Sequence, residues 1–191
     1  MGYQLDDDLT SMIGVWHDHL CAYDLQGVIV SEDPFGGVPG PFPYENLVYV
    51  DFDGEIYRQT NVTMAGRPLH TRTFTATACD GTLRFAPLGP EAPVHVGVSG
   101  GPGLIWFIAE DLASGGLQRY CEPDLIRIEG DSRRRQTILF RDAALVRPML
   151  VTGTRISHDT GSLHSLDPRP AGSSVHQGIT ATRQYLKPPS S

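Results

Sequence analysis

The sequence predicts an all-β protein, an antiparallel up-and-down β-barrel that begins with a short N-terminal helical turn. Apolar and polar residues alternate with a period of two along most of the chain, as in strands that bury one face. Turn signals separate these segments, and 21 glycines and 15 prolines in 191 residues fit many turns. A run of about eight to eleven short strands of this kind is typical of a sandwich or an up-and-down barrel.

Length and composition indicate one folded domain. A chain of 191 residues is within the range of a single barrel. Its 40% apolar and 19% charged residues indicate a folded rather than a disordered chain. We predict a single barrel domain over residues 1–186, a flexible tail over 187–191, and a long loop or lid over the Pro/Gly-rich residues 31–43.

The individual elements follow from local signals. A helical turn is predicted over 6–13, where one of three successive aspartates caps it and Leu9, Met12 and Ile13 form its buried side. Asp53-Gly54 and Asp80-Gly81 are predicted hairpin turns, because Asp-Gly readily supplies positive φ angles. Strands are predicted at 47–50, 56–62, 69–78, 82–85, 94–98, 104–109, 117–121, 124–129, 134–142, 145–157 and 175–186.

The segment 69–78 predicts what the inner face of the barrel carries. One face holds only threonines, which is typical of a wetted outer surface: Thr71, Thr73, Thr75 and Thr77. The other face then brings His70, Arg72 and Phe74 to a polar pocket or to an open barrel mouth, because buried charge is costly unless it is paired or bound. An edge strand with both basic side chains solvated is the alternative.

Aromatic residues on different predicted strands are expected to converge on the barrel interior, although each alone fits simple core packing. Together with a few polar side chains on the inner faces of the strands, these aromatic residues predict a site for a medium-sized, partly apolar ligand. The predicted ligand-binding residues are Trp16, Tyr49, Arg58, Asn61, Phe74, Trp106 and Tyr120, and the predicted catalytic residues are His70, Arg72 and Tyr57.

Gly14-Val15-Trp16, a Gly-x-Trp placed after a helical turn at the start of the first strand, resembles the start of lipocalins and of the wider calycin superfamily. The resemblance implies a lipocalin-like barrel that Trp16 closes at one end. It also implies an arginine from a late strand over the tryptophan, with Arg155 the best candidate and Arg141 and Arg183 as others. The chain looks most similar to intracellular bacterial members, which include chromophore lyases, haem-binding barrels and small natural-product cyclases.

Charge and apolar patterning argue against several classes of partner. The net charge of −7 disfavours nucleic acid, and the basic run Arg133-Arg134-Arg135 is interpreted as the solvated start of a strand rather than a phosphate site. No apolar run approaches the roughly 18 residues of a membrane helix. The start of the sequence lacks the features of a signal peptide, and Cys21, Cys79 and Cys121 have no metal-like spacing, so we expect reduced thiols in a cytoplasmic protein.

Motifs for other chemistry are weak. No serine lies in a nucleophile-elbow context, and we expect none of the three cysteines to have an adjacent histidine or another basic partner. Residues 99–103 resemble a phosphate loop but lack its lysine and are predicted to be a turn. His17 and His19 share one face of a strand and could bind a metal as in cupin-type barrels, although they face outward if Trp16 faces inward.

Three functions remain open, beside a purely structural or interaction module. The first is a cofactor-independent cyclase or isomerase that folds a hydrophobic, polyketide- or polyene-like natural product inside the barrel. The second is a non-catalytic binder, or a lyase-like carrier, of a tetrapyrrole, pigment or lipid. The third is a metal-dependent, cupin-like enzyme using His17 and His19. The expected partner is a small hydrophobic molecule, with a homodimer left open and no nucleic acid or membrane.

Overall fold

A computed structural model of the protein describes residues 5–30, 43–63, 71–87, 94–110, 120–142 and 144–160. The described residues form one helix and eleven strands. These are α1 (Leu5–Met12), β1 (Gly14–Ala22), β2 (Tyr44–Phe52), β3 (Ile56–Thr63), β4 (Thr71–Cys79), β5 (Thr82–Phe85), β6 (His95–Gly101), β7 (Leu104–Ala109), β8 (Tyr120–Cys121), β9 (Asp124–Glu129), β10 (Ser132–Arg141) and β11 (Ala144–Ser157). The predicted strand at 175–186, the tail and most of the 31–43 loop lie outside these residues, so the domain bounds stay a prediction.

The strands close into an antiparallel barrel of ten strands. β1 to β7 pair in sequence order, β7 pairs with β9, and β9 pairs with β10. β11 then pairs with both β10 and β1, which closes the ring, while the short β8 pairs with the end of β10. Closure leaves no long edge strand within the ring. The predicted fold class, an all-β up-and-down barrel, is confirmed.

Both Asp-Gly hairpins are confirmed. Gly54 has a φ of 95°, and Asp80 and Gly81 have φ values of 51° and 73°, in the region that these two residue types tolerate best. In the first turn the Asp53 carboxylate accepts the backbone N–H groups of Ile56 and Glu55 at 2.7 and 3.0 Å. These two hydrogen bonds hold the pKa of Asp53 below its ordinary value.

The predicted alternation along β4 is also confirmed. Its threonines are exposed, whereas Ala76 is buried among the core residues and Ala78 packs against them. Arg72 and Phe74 share this inner face, because side chains two residues apart point the same way in a strand. His70 lies outside the described residues.

The apolar core fills the end of the barrel that α1 covers. Leu9 and Met12 of the helix are fully buried against residues of β1, β2 and β7. Each side chain buried in this way stabilises the fold by about 1.5–3 kcal/mol. Asp8, one of the predicted caps, is instead buried and ties the helix to the β6–β7 turn by accepting hydrogen bonds from Ser99 Oγ at 2.6 Å and Gly103 N at 2.7 Å.

Candidate functional site

Trp16 forms the floor of the barrel. Its side chain is fully buried, and its Nε1–H donates to the carbonyl of Met12 at 2.8 Å. The guanidinium carbon of Arg155 lies 4.5 Å from the ring centroid, as the resemblance implied. Arg155 also donates to the carbonyls of Ser11, Ile13 and Gly130. These hydrogen bonds hold the C-terminal end of α1 and the β9–β10 turn against the floor.

The interior becomes polar immediately above this floor. A group of inward-facing side chains from β1, β2, β3, β9 and β10, which we call the polar belt, crosses the barrel. Strand register places its members close together, since Asp18 lies opposite Asn46 and Gln59 follows Tyr57 on the same face. The polar belt comprises Asp18, Asn46, Gln59, Asn61, Asp124, Arg133 and Arg135.

A fully buried ion pair occupies the lower edge of the polar belt. Arg133 donates two hydrogen bonds to the Asp18 carboxylate, at 2.9 Å from Nε and 2.5 Å from Nη2, and both side chains are 1% exposed. The Arg133 guanidinium carbon also lies 4.7 Å from the centroid of the Trp16 ring. Gly153 lies opposite both ion-pair partners, and a Cβ there would come within 2.8 Å of Arg133 Cγ. Glycine at this position therefore leaves the room that the pair occupies.

A second ion pair continues the polar belt across the barrel. Arg135 bonds to Asp124 through Nε at 3.0 Å and through Nη2, and its Nη1 lies 3.8 Å from the Asp18 carboxylate. Burial raises the pKa of Asp124, and the Arg135 guanidinium offsets part of this rise. Burial alone would lower the pKa of Arg135. The negative charges of Asp124 and Asp18 together have the larger effect, so the pKa of Arg135 is raised.

Hydrogen bonds run along the inner face of β3 from the core into the polar belt. The Tyr57 hydroxyl donates to Gln59 Oε1 at 2.8 Å, and Gln59 Nε2 donates to Asn61 Oδ1 at 2.9 Å. Burial raises the pKa of Tyr57, so its hydroxyl stays protonated. In this arrangement the hydroxyl proton of Tyr57 is already donated to Gln59.

Three buried polar atoms of the polar belt find no hydrogen-bonding partner in the part of the chain that the structure describes. They are the donor Nη1 of Arg133 and the acceptors Oδ1 of Asn46 and Oδ1 of Asp124. A buried polar atom left in this state costs about 1–3 kcal/mol. Among the described residues, the polar belt therefore has one donor and two acceptors without a partner.

Among the predicted catalytic residues, Arg72 and Tyr57 both face the interior. Arg72 lies opposite Asn61, farther from the floor than Tyr57, with its guanidinium carbon 4.9 Å from the Phe74 ring centroid. Its side chain is exposed, which corresponds to a position at the barrel mouth. His70 and the side chain of Tyr120 lie outside the described part of the chain.

The structure corrects the placement of three predicted ligand-binding residues, because the register turns them outward. Tyr49 packs outside the wall with Val15, Leu47 and Val62. Arg58 forms ion pairs with Asp51 and Asp53 at 3.7 and 3.4 Å, and Trp106 is 42% exposed. Their neighbours in sequence, rather than these side chains, face the interior.

The polar belt also contains residues that the sequence interpretation missed. The interpretation of Arg133-Arg134-Arg135 as a solvated strand start is wrong for its outer two members, since only Arg134 is exposed. Period-two alternation within the run was the signal that Arg133 and Arg135 share a face. Asp18 was passed over between two histidines, although it shares the face of Trp16.

The two histidines of β1 face outward, as expected from the inward position of Trp16. His17 Nε2 lies 3.1 Å from Glu45 Oε2, and His19 Nε2 lies 3.4 Å from the sulfur of Cys21. The latter contact corrects the expectation that no cysteine has an adjacent histidine. Within the described ranges, no group of three or more His, Cys, Asp or Glu residues could hold a metal ion.

The structure is a closed antiparallel barrel with a helix and a tryptophan–arginine pair at one end, so the fold that the resemblance implied is confirmed. Neither a known protein family nor a curated protein matches the sequence. The S-type phycobiliprotein lyase CPES from Guillardia theta superposes with a TM-score of 0.57 at 11% identity, covering 80% of this chain and 93% of that one. Fatty-acid-binding protein 1 from Echinococcus granulosus superposes with a TM-score of 0.45 at 10% identity, and the superposition covers 76% of this chain and 98% of that one. No helix among the described residues is long and apolar enough to cross a membrane.

Proposed function

We propose that this protein binds a small, partly apolar molecule inside the barrel and holds it at the polar belt. The observation that carries the proposal is the set of unpartnered buried atoms on Arg133, Asn46 and Asp124. Native proteins rarely leave such atoms without partners, because each one loses its hydration without compensation. A ligand that reaches the polar belt would supply the missing partners.

The unpartnered atoms favour a ligand of mixed polarity. Arg133 Nη1 suits a carboxylate or carbonyl oxygen, whereas the oxygens of Asn46 and Asp124 require N–H or O–H donors. Apolar residues flank the polar belt at the floor and again near β11, where Leu20 and Met149 pack together. An open-chain tetrapyrrole pigment combines apolar rings, N–H donors and carboxylates, whereas a fatty acid offers only the carboxylate. We therefore infer a tetrapyrrole-type pigment as the ligand and a binder or carrier as the function.

Titration with biliverdin, followed by its visible absorbance, tests this proposal. We expect a saturable spectral shift with the full chain and weaker binding of oleate. Asn46→Leu is expected to weaken biliverdin binding about tenfold, because a buried hydrogen bond is worth about 1–1.5 kcal/mol. The same variant should keep its free energy of unfolding within about 1 kcal/mol, because it removes an unpartnered buried oxygen.

Thr75→Val is the matched control, since this side chain lies on the exposed outer face of β4. It should bind biliverdin as the unaltered protein does. Absence of saturable binding would contradict the pigment assignment, and unchanged affinity in Asn46→Leu would contradict the role of the polar belt.

A cyclase or isomerase acting on a polyketide- or polyene-like substrate is the second candidate. Arg72 at the mouth and the neutral Tyr57 hydroxyl favour it, since both can donate to a carbonyl oxygen that becomes negative during reaction. Binding remains the better-supported function because the Tyr57 proton is already donated to Gln59. Incubation with a linear precursor tests the candidate. Product formation above buffer that falls in both Arg72→Ala and Tyr57→Phe would support it, and no acceleration would remove it.

A further inference from the structure

A thiol and an imidazole meet on the outer face of β1. Cys21 Sγ lies 3.4 Å from His19 Nε2, because residues two apart in a strand project from the same side. The intervening Leu20 is buried inside the barrel, so the wall separates this pair from the polar belt. Neither ligand binding nor the cyclase hypothesis uses these two side chains.

The surroundings of the pair give it a distinct chemical character. On β2, Glu45 lies opposite His19, and its carboxylate is 3.1 Å from Nε2 of His17, the next outward residue of β1. On β11, uncharged residues lie opposite: Thr152 faces His19, and Leu150, which is 45% exposed, faces Cys21. The nearby Asp24 carboxylate accepts the backbone N–H groups of Gln26 and Val28 within its own turn. The imidazole of His19 is thus the basic side chain within hydrogen-bonding distance of the thiol.

A second described thiol has the opposite surroundings. Cys79 is exposed, and its sulfur donates to the Asp80 carboxylate at 3.5 Å. This hydrogen bond and the negative charge of Asp80 raise the pKa of Cys79. Since the thiolate is the reactive form, exposure and reactivity are expected to disagree between the two cysteines. Cys79 is more accessible, whereas Cys21 has the basic partner.

We propose that Cys21 and His19 form a reactive thiol site on the outer wall, where Cys21 is alkylated by neutral electrophiles of the α,β-unsaturated carbonyl class. Exposed Leu150 favours an apolar reagent. The neighbouring Glu45 and the net charge of −7 disfavour an anionic one.

The reaction is an addition that balances without an oxidant or a leaving group. His19 Nε2 takes the thiol proton, and the sulfur forms a bond to the β-carbon of the electrophile. The π electrons of the carbon–carbon double bond move toward the carbonyl to give an enolate. The imidazolium then returns the proton to the α-carbon, which leaves a thioether on Cys21 and a neutral imidazole.

Competitive labelling of the full chain with limiting N-ethylmaleimide tests the site, with each cysteine followed by peptide mass spectrometry. At neutral pH we expect Cys21 to react about tenfold faster than Cys79, because His19 contacts the Cys21 thiol whereas the Asp80 carboxylate accepts a hydrogen bond from the Cys79 thiol. His19→Gln should slow Cys21 about tenfold. His17→Gln is the matched control on the same strand face, and it should change the rate less than twofold.

Two further measurements use the unaltered protein and so do not depend on a variant that folds. N-ethylmaleimide should label Cys21 faster in the folded protein than in the urea-unfolded chain, where the contact with His19 is lost. Cys21 should prefer the neutral iodoacetamide over the anionic iodoacetate by a larger factor than a small uncharged thiol such as 2-mercaptoethanol does in the same buffer. Equal rates at the two cysteines, an unchanged rate in folded His19→Gln, or labelling of Cys21 that does not slow on unfolding would overturn the site. A preference for iodoacetamide no larger than that of 2-mercaptoethanol would overturn the choice of neutral electrophiles.

Discussion

The floor of the barrel and the polar belt are adjacent on β1, yet their polar groups differ in one respect. At the floor, Trp16 Nε1 and two Arg155 nitrogens donate to backbone carbonyls, and Arg155 Nε, which makes no hydrogen bond in the described residues, lies 3.4 Å from Asp131 Oδ1. In the polar belt, atoms of Arg133, Asn46 and Asp124 are buried without partners in the described residues. The floor therefore contributes mainly to stability, whereas the unpartnered atoms of the polar belt lower stability and are, in the proposed function, the atoms that a ligand would pair. Departures of this kind are expected at functional sites.

The largest expected effect comes from breaking the buried ion pair of the polar belt. Asp18→Ala leaves the Arg133 charge buried without its partner, so the free energy of unfolding should fall by about 3–5 kcal/mol. Urea denaturation measures the loss. The double variant Asp18→Leu/Arg133→Met should recover most of the stability, because apolar replacement of a buried pair is often neutral. It should still bind biliverdin poorly, and full affinity in the double variant would show that this pair does not serve the ligand.

The floor should respond in the reverse manner. Trp16→Phe loses the hydrogen bond to Met12 and part of the buried ring, so the free energy of unfolding should fall by about 1–3 kcal/mol. Biliverdin affinity, measured where the variant is folded, should stay within about twofold of the unaltered protein. A large loss of affinity without a loss of stability would mean that the floor belongs to the binding site.

The smallest effect is a pH dependence that arises from Asp124. Its folded-state pKa is raised above the ordinary 3.8, so the folded protein binds this proton more tightly than the unfolded chain. The associated stabilisation is fully present below 3.8 and is lost as the pH rises through the raised folded value. Asp124→Asn removes it. The difference in free energy of unfolding between the two proteins should therefore change across this window, and a flat difference would contradict the raised pKa.

Sequence patterns were sufficient for the barrel and its floor because both depend on local signals. Period-two alternation identified the strands, and the two Asp-Gly pairs set hairpin turns whose backbone angles these residues tolerate. Gly14-Val15-Trp16 marked the first strand, and the resemblance that it carries placed Arg155 over the tryptophan. Each of these signals spans a few residues or comes from one motif.

The composition of the polar belt could not be predicted from local sequence signals. Asp18 and Arg133 are 115 positions apart, and they meet only because β11 joins β1 to β10 in the closed ring. Local alternation says which side chains share a face, but it does not say which face is inner or which strands become neighbours. Tyr49 and Trp106 were placed inside for this reason, since their size indicated burial but their register directed them outward.

The join between β1 and β11 has a consequence for the synthesis of the chain. During synthesis, Asp18 emerges from the ribosome long before its partner Arg133. Ser11 likewise emerges before its partner Arg155, which lies 144 positions later. The β1–β2 pair can form early, but the ring cannot close until β11 has emerged. Contacts of such long range also slow folding in general. During that interval the open side of β1 is available to other strands, so newly made chains should be most prone to misassembly just before the last described strand appears.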